Sequence, residues 1–117
     1  MGFTINQNVS LYNPKSIEVD AGEIAYRGDA LAHEWVVELQ NSTAWLKTKT
    51  ASVVFMHQNG TSNTINASID GNVITAVFPA TVYTTTGNIT AYMKVSGNGE
   101  TVTVAAVRFA VIDMTAV

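Results

Sequence analysis

Strict alternation of apolar and polar residues, closed off by clusters of turn-forming residues, governs the second half of this chain. Ile65, Ala67 and Ile69 lead into Asp70-Gly71-Asn72, Val73 to Phe78 comes next, Ile89 to Val95 runs up to Ser96-Gly97-Asn98-Gly99, and Thr101 to Ile112 comes after it. A period of two sends successive side chains to opposite faces of a strand, so these runs predict sheet with one face buried. Almost no chemically reactive side chain falls within them.

The first half carries the same signal. Leu31, His33, Trp35, Val37 and Leu39 alternate with Ala32, Glu34, Val36 and Glu38, the cleanest period-two pattern in the chain, and the first set is the inward one. Thr50 to His57 is a β-branched strand ending at Gln58-Asn59-Gly60-Thr61, where Asn-Gly is a strong hairpin signal. Lys15 to Asp20 predicts a short strand that breaks at Ala21-Gly22, and Tyr26 to Asp29 a further turn. Asn41 to Lys49 is a connection whose Trp45 and Leu46 are apolar enough to cap one end of a sandwich. Pro79 ends the ladder before it, and Ala80 to Thr86 crosses to the other sheet with room for one helical turn. In the last strand Val102 and Val104 share one face while Val107, Phe109 and Val111 share the other, so a bulge near Ala105-Ala106 is needed to restore register. Seven to eight strands at this spacing predict an all-β fold, an immunoglobulin-like β-sandwich of antiparallel strands.

Size and composition narrow the rest. With 117 residues the chain is long enough for one domain with its own core, and with no cysteine that core is held by packing alone. Charged residues are only 13% of the sequence, about half the share usual in globular domains, and Thr, Asn and Ser fill the difference. Such a surface repels other protein surfaces weakly and suits packing against copies of itself or against partners. The net charge of −3 and the scatter of Lys15, Arg27, Lys47, Lys49, Lys94 and Arg108 leave no basic face for phosphates, which argues against nucleic acid. No run reaches the roughly 18 apolar residues of a membrane-spanning helix, and the N-terminal stretch lacks the basic start and apolar core of a secretory signal. Synthesis in a cytoplasm is the expectation. The Asn-x-Ser/Thr sequons at Asn8, Asn41, Asn59, Asn66 and Asn88 are then chance matches in an Asn- and Thr-rich chain.

Catalytic and cofactor constellations are absent from the pattern. His33 and His57 have no Gly-x-Ser-x-Gly elbow beside them and no cysteine or paired spacing for zinc, so His33 reads as a satisfied semi-buried ring. Gly97-Asn98-Gly99 opens like a dinucleotide loop but lacks its third glycine and helix, and a hairpin turn accounts for it. Asp20, Glu23 and Asp29 fall within ten positions but match no calcium loop. No cofactor, no metal and no enzymatic activity are expected. Among the aromatics, Trp35 belongs to the inward phase and Trp45 is the candidate for exposure. With Tyr83, Trp45 supports an alternative reading as a carbohydrate-binding module for host-surface glycans. Arg108 points outward, where it can meet a partner or simply suppress edge pairing.

Residues 1–14 are read as an N-terminal arm or edge strand, separate from a sandwich spanning 15–117. Phe3, Ile5, Val9 and Leu11 give the segment apolar surface, and Asn13-Pro14 fences it from the rest of the chain. An arm would dock these side chains on a neighbouring subunit. The competing arrangement makes them the first strand of their own sandwich. The candidate interaction residues are therefore Phe3, Ile5, Val9, Leu11, Trp45 and Arg108.

The order of features from Ile17 to Ile112 resembles the N-terminal domain family of phage upper baseplate proteins, an immunoglobulin-like module of phages of Gram-positive bacteria. The likeness lies in Arg27-Gly28-Asp29 ahead of the strand from Trp35 to Leu39, and in Val53-Val54-Phe55 before an Asn-Gly turn. It continues through Ile69-Asp70-Gly71-Asn72-Val73-Ile74 and Gly87-Asn88-Ile89-Thr90-Ala91-Tyr92, and ends in Thr101-Val102-Thr103 and Arg108-Phe109-Ala110-Val111. The resemblance implies a non-enzymatic structural protein of a virion: a tail or baseplate component, a fibre anchor or a capsid decoration. It further implies contacts with other virion proteins and with copies of itself.

Overall fold

In the structure, a computed structural model, residues 4–10, 18–30, 32–40 and 42–113 are described. They form eight strands: β1 (Thr4–Ser10), β2 (Glu18–Tyr26), β3 (Glu34–Gln40), β4 (Thr50–His57), β5 (Ser62–Asp70), β6 (Val73–Val77), β7 (Gly87–Gly97) and β8 (Glu100–Ile112). A single helical turn, α1 (Thr43–Leu46), precedes β4, and a short 3-10 helix (Ala80–Thr84) precedes β7. The strands lie side by side in the order β1-β3-β6-β5-β4-β7-β8-β2. The fold is all-β, as the alternation predicts.

Two layers arise because β5 serves both. Ser62 to Ala67 pair with β4, whereas Ser68 to Asp70 pair with β6, so the strand passes from one layer into the other. The first layer is β1, β3, β6 and the end of β5; the second is the rest of β5 with β4, β7, β8 and β2. The five inner ladders are antiparallel, while the two outermost, β1 with β3 and β2 with β8, are parallel. This departs from the all-antiparallel expectation. A parallel pair requires a crossover, and β2, lying in the opposite layer between β1 and β3 in sequence, supplies it.

The inward phase of each strand builds the core. Trp35, Val37 and Leu39 of β3 face Val53 and Phe55 of β4 and Ile89, Ala91, Met93 and Val95 of β7, all fully buried. Phe55, Phe78 and Phe109 form an aromatic cluster with ring centroids 5.0 to 6.4 Å apart. Burying each such ring contributes about 1.5–3 kcal/mol, which makes this cluster a principal cohesive element in a chain without disulfides.

Two strands depart from simple alternation, each for a local reason. In β8 the register against β7 slips between Met93 and Lys94, so that Met93 pairs with Ala105 but Lys94 with Thr103. Val104 is the extra residue, and Val104 and Ala105 are both buried although adjacent. The bulge that the apolar phase requires is therefore present, one or two residues before Ala105-Ala106. In β2 the chain does not stop at Ala21-Gly22. It continues beside β8 with irregularities between Asp20 and Gly22 and between Glu23 and Ala25. Gly22 adopts a left-handed φ of 75°, and its N–H donates to Asp20 Oδ1 at 2.9 Å. The kink is absorbed inside the strand because β8 remains alongside to pair with it.

Candidate interaction surfaces

One end of the sandwich is closed by α1. Ser42 Oγ donates to the Leu39 carbonyl at 2.5 Å, and Leu46 is buried, so this turn plugs the core as its apolar residues predict. Lys49 comes next, its side chain only 3% exposed. Its ammonium donates to the Gly97 carbonyl at 2.9 Å and to Glu100 Oε1 at 2.8 Å, and lies 5.4 Å from the centroid of the Trp45 ring. Asn98, at φ 53°, donates its amide to Thr48 Oγ1 at 3.0 Å. The β7–β8 turn is thus tied to the α1 connection. The Lys49 ammonium holds the Glu100 carboxyl below the usual carboxylate range, and the Trp45 indole N–H assists. An open groove of about 610 Å³ lies beside this corner, between Leu46, Lys47, Ile69 and Gly71.

The opposite end is polar but closed. His57 Nδ1 is 2.9 Å from Thr85 Oγ1, and its Nε2 is 2.7 Å from Asn63 Oδ1. Gln58 Oε1 accepts the Asn88 backbone N–H at 2.9 Å. His33 is buried, with Nε2 2.9 Å from the Ile24 carbonyl and its ring edge-on to Tyr83 at 5.8 Å. The Tyr83 ring is fully buried and its hydroxyl has no hydrogen-bond partner among the described residues. Burial pushes its pKa up to about 12; a nearby His33 backbone N–H pulls it down and the Asp29 carboxylate pushes it up further, both by less. Asp29 itself accepts the Tyr26 N–H at 2.9 Å and, like Asp20, is engaged in a turn.

The two outer faces of the sandwich differ in charge. On the first layer, Glu34 and Glu38 of β3 and Asp70 of β5 are exposed around Val36, Val73 and Val77, and no Lys or Arg stands on the described strands of this layer. A shallow groove of about 280 Å³ runs between Asn6, Asn8, Val36, Glu38 and Val73. On the second layer, Val54 pairs with Tyr92, and Met56 with Thr90, with Lys94 and Arg108 on the same side. Lys94 Nζ donates to Thr103 Oγ1 at 2.8 Å, and Arg108 stands in register with Asp20 on β2. Among the described residues, Val77 is 50% exposed on the first layer, while Met56 and Tyr26, 42% and 48% exposed, belong to strands of the second.

Of the six residues singled out in the sequence, Phe3 and Leu11 lie outside the described residues. Ile5 and Val9 are 8% and 1% exposed, buried in this chain's own core from β1, which occupies the position of an edge strand. That apolar surface is therefore engaged inside the domain. Trp45 is half-buried beneath Lys49, and Arg108 is exposed. Of the described ones, Ile5 and Val9 in the core, half-buried Trp45 beside Lys49 and exposed Arg108 on β8 do not form one site. Tyr83, the second aromatic of the glycan reading, faces the core and offers no platform for a sugar.

Two residues that do organise the molecule, Gln7 and Lys49, were not singled out, and Tyr83 stood only as an aromatic of the glycan reading. Gln7 is buried, accepts the Trp35 indole N–H and donates from Nε2 to the Ala106 carbonyl at 3.3 Å, joining the two layers through the core. Its place in the Ile5-Gln7-Val9 phase is the signal that could have found it. Lys49 and Tyr83 sit in connections, where no periodicity marks a side chain as inward.

No protein-family model matches the chain, and a search of curated proteins finds no match. A solved structure does match in fold. This chain shares the architecture of the N-terminal domain of phage TP901-1 ORF48. The likeness spans 95% of this chain and 98% of that one, with a TM-score of 0.55 and 15% sequence identity. The two chains therefore correspond over nearly the full length of both, rather than through a shared hairpin or a single layer.

Proposed function

We propose that this chain is a non-enzymatic structural module of a bacteriophage particle, acting through protein–protein contacts in a symmetric assembly. The observation that carries the reading is the end-to-end fold correspondence with an N-terminal domain of a phage protein. Two features of the chain support it. The surface is poor in charge and rich in Thr and Asn, a composition that packs against other proteins without strong repulsion or desolvation cost. The polar side chains that do cluster, around His57 and around Lys49, bond to turns and hold the two ends of the sandwich shut, which is structural work. The resemblance to the upper baseplate N-terminal domain family favours a tail or baseplate location over a capsid decoration.

Mass spectrometry of purified particles of the phage that carries this chain tests the proposal. The expected result is a stoichiometric virion component, located on the tail by immunogold labelling. Detection only in the lysate of infected cells, with none in the particle, overturns it.

A further inference from the structure

We propose that two copies of this chain pair antiparallel through β1 about a two-fold axis at Gln7, joining their first layers into one continuous sheet. That such a pair belongs to a particle rests on the reading of the chain as an assembly module. The strand order ends in β1 on one side and β2 on the other, each bonded to a single neighbour among the described strands. An end strand turns one row of backbone N–H and C=O groups away from its sheet, and native proteins blunt such rows with charges, prolines or bulges. β2 is blunted in this way. Its ladder with β8 is broken twice, Gly22 adopts a left-handed φ of 75°, and Asp20 and Glu23 are exposed. β1 is not: Thr4 to Ser10 run in unbroken register with β3, and none of these residues is charged or proline.

The order of residues in β1 selects a second copy as its occupant. Thr-Ile-Asn-Gln-Asn-Val-Ser is a palindrome in chemistry about Gln7. Antiparallel pairing centred there sets Thr4 opposite Ser10 of the second copy, Ile5 opposite its Val9 and Asn6 opposite its Asn8, and the axis repeats each match. A two-fold contact is made by one surface with itself, so its strand must match its own reverse, a condition that an unrelated partner does not impose. Ile5 and Val9 lie in the buried row and carry the apolar face across the junction. Asn6 and Asn8 lie in the exposed row. Asn8 donates its amide to Glu38 Oε1 at 3.4 Å, which leaves its oxygen to accept from Asn6 of the second copy. No charged residues meet across the pair, whereas β2 against its own copy would bring Asp20 and Glu23 of both chains together. A strand of this length offers about six to eight backbone hydrogen bonds over about 23 Å. One strand pair buries less than the roughly 800 Å² per partner of a standard interface, so the dimer is weak between free chains and firm where a particle holds copies side by side.

Sedimentation velocity and hydrogen exchange of the wild-type chain at low and high protein concentration test the pairing. The expected result is a monomer–dimer equilibrium in which backbone amides of residues 4–10 exchange several-fold more slowly at high concentration. Two variants at the same exposed positions then fix the register. Asn6→Glu/Asn8→Lys sets opposite charges across the axis at both matches and is expected to tighten the dimer several-fold. Asn6→Lys/Asn8→Lys sets like charges there and is expected to weaken it several-fold, although it brings the net charge of −3 closer to zero. Circular dichroism shows that each variant is folded; if one is not, the wild-type exchange measurement decides alone. A wild-type chain that stays monomeric at high concentration overturns the proposal. So does a dimer whose slowed amides lie outside residues 4–10, or an Asn6→Glu/Asn8→Lys dimer no tighter than that of Asn6→Lys/Asn8→Lys. Each of these results leaves the virion assignment standing if the particle contains the chain. A β1-paired dimer of a chain absent from the particle does the reverse.

Discussion

Gln7 and Trp35 meet inside the core: the indole N–H of Trp35 donates to Gln7 Oε1, and the other end of the same amide reaches the Ala106 carbonyl across the sandwich. One side chain on an edge strand thereby satisfies a buried donor in its own layer and links to the other. The amide can do this in one orientation only, because its oxygen must face the indole and its nitrogen the carbonyl.

Gln7→Leu leaves the Trp35 N–H buried without its acceptor. The expected loss is about 1–3 kcal/mol of stability, measured by urea unfolding. Trp35→Phe in the Gln7→Leu background removes the orphaned donor, so the double variant should lose less than the two single losses added together. Simple additivity would show that the two residues do not act as a pair.

Removing residues 1–10 takes away β1 with Ile5, Gln7 and Val9. Two buried aliphatic side chains contribute about 1.5–3 kcal/mol each, so the truncated chain should melt far below the intact one or fail to fold. An unchanged melting temperature would mean that the segment serves as a detachable arm.

Tyr83 gives the alkaline response. Its folded pKa, about 12, lies above the ordinary value of 10.0, so the unfolded chain releases this proton first as pH rises. Its contribution is intact below pH 10 and declines from there, by about 2–3 kcal/mol in all once pH passes 12. Tyr83→Phe deletes an unbonded hydroxyl and should leave neutral-pH stability unchanged or raise it by about 1 kcal/mol, while flattening the alkaline fall. A Phe variant with the wild-type alkaline slope would assign that slope elsewhere.

Glu100 gives the acid response. Lys49 lowers its folded pKa, so the stabilisation is complete above the ordinary glutamate range and is lost as pH falls through that range and on through the lowered folded value. Glu100→Gln should reduce the acid dependence of the melting temperature and have little effect on the alkaline limb. Equal acid slopes in the two proteins would place the titration on other carboxylates.

Gly87 tests the fit at the closed polar end. It has φ 105°, and a Cβ there would stand 2.3 Å from Gln58 Oε1. Gly87→Ala should cost about 1–3 kcal/mol, combining left-handed strain with displacement of the Gln58 bond to Asn88 N–H. Gly60→Ala, at φ 90° with nothing within 4 Å, isolates the strain alone and should cost less.

Much of this architecture is local in origin and so could be read along the chain. Trp35, Val37 and Leu39 had to face inward because any other phase exposes all three, and Val104 had to bulge because Val102 and Val107 could not otherwise share one core. Asn59-Gly60 and Asp70-Gly71 marked their hairpins because only a few residue types accept those turn conformations at low cost. The strand neighbours were not legible. Parallel pairing of β1 with β3 and β2 with β8, and the passage of β5 between layers, depend on contacts between segments far apart in sequence, to which a periodicity of two is blind. The same holds for the surfaces. Gln7, Lys49 and Tyr83 became buried, and Glu34, Glu38 and Asp70 came to share a face opposite Lys94 and Arg108, only when the layers closed. Alternation determines which side of its own strand a residue occupies, whereas the tertiary structure decides what stands across from it.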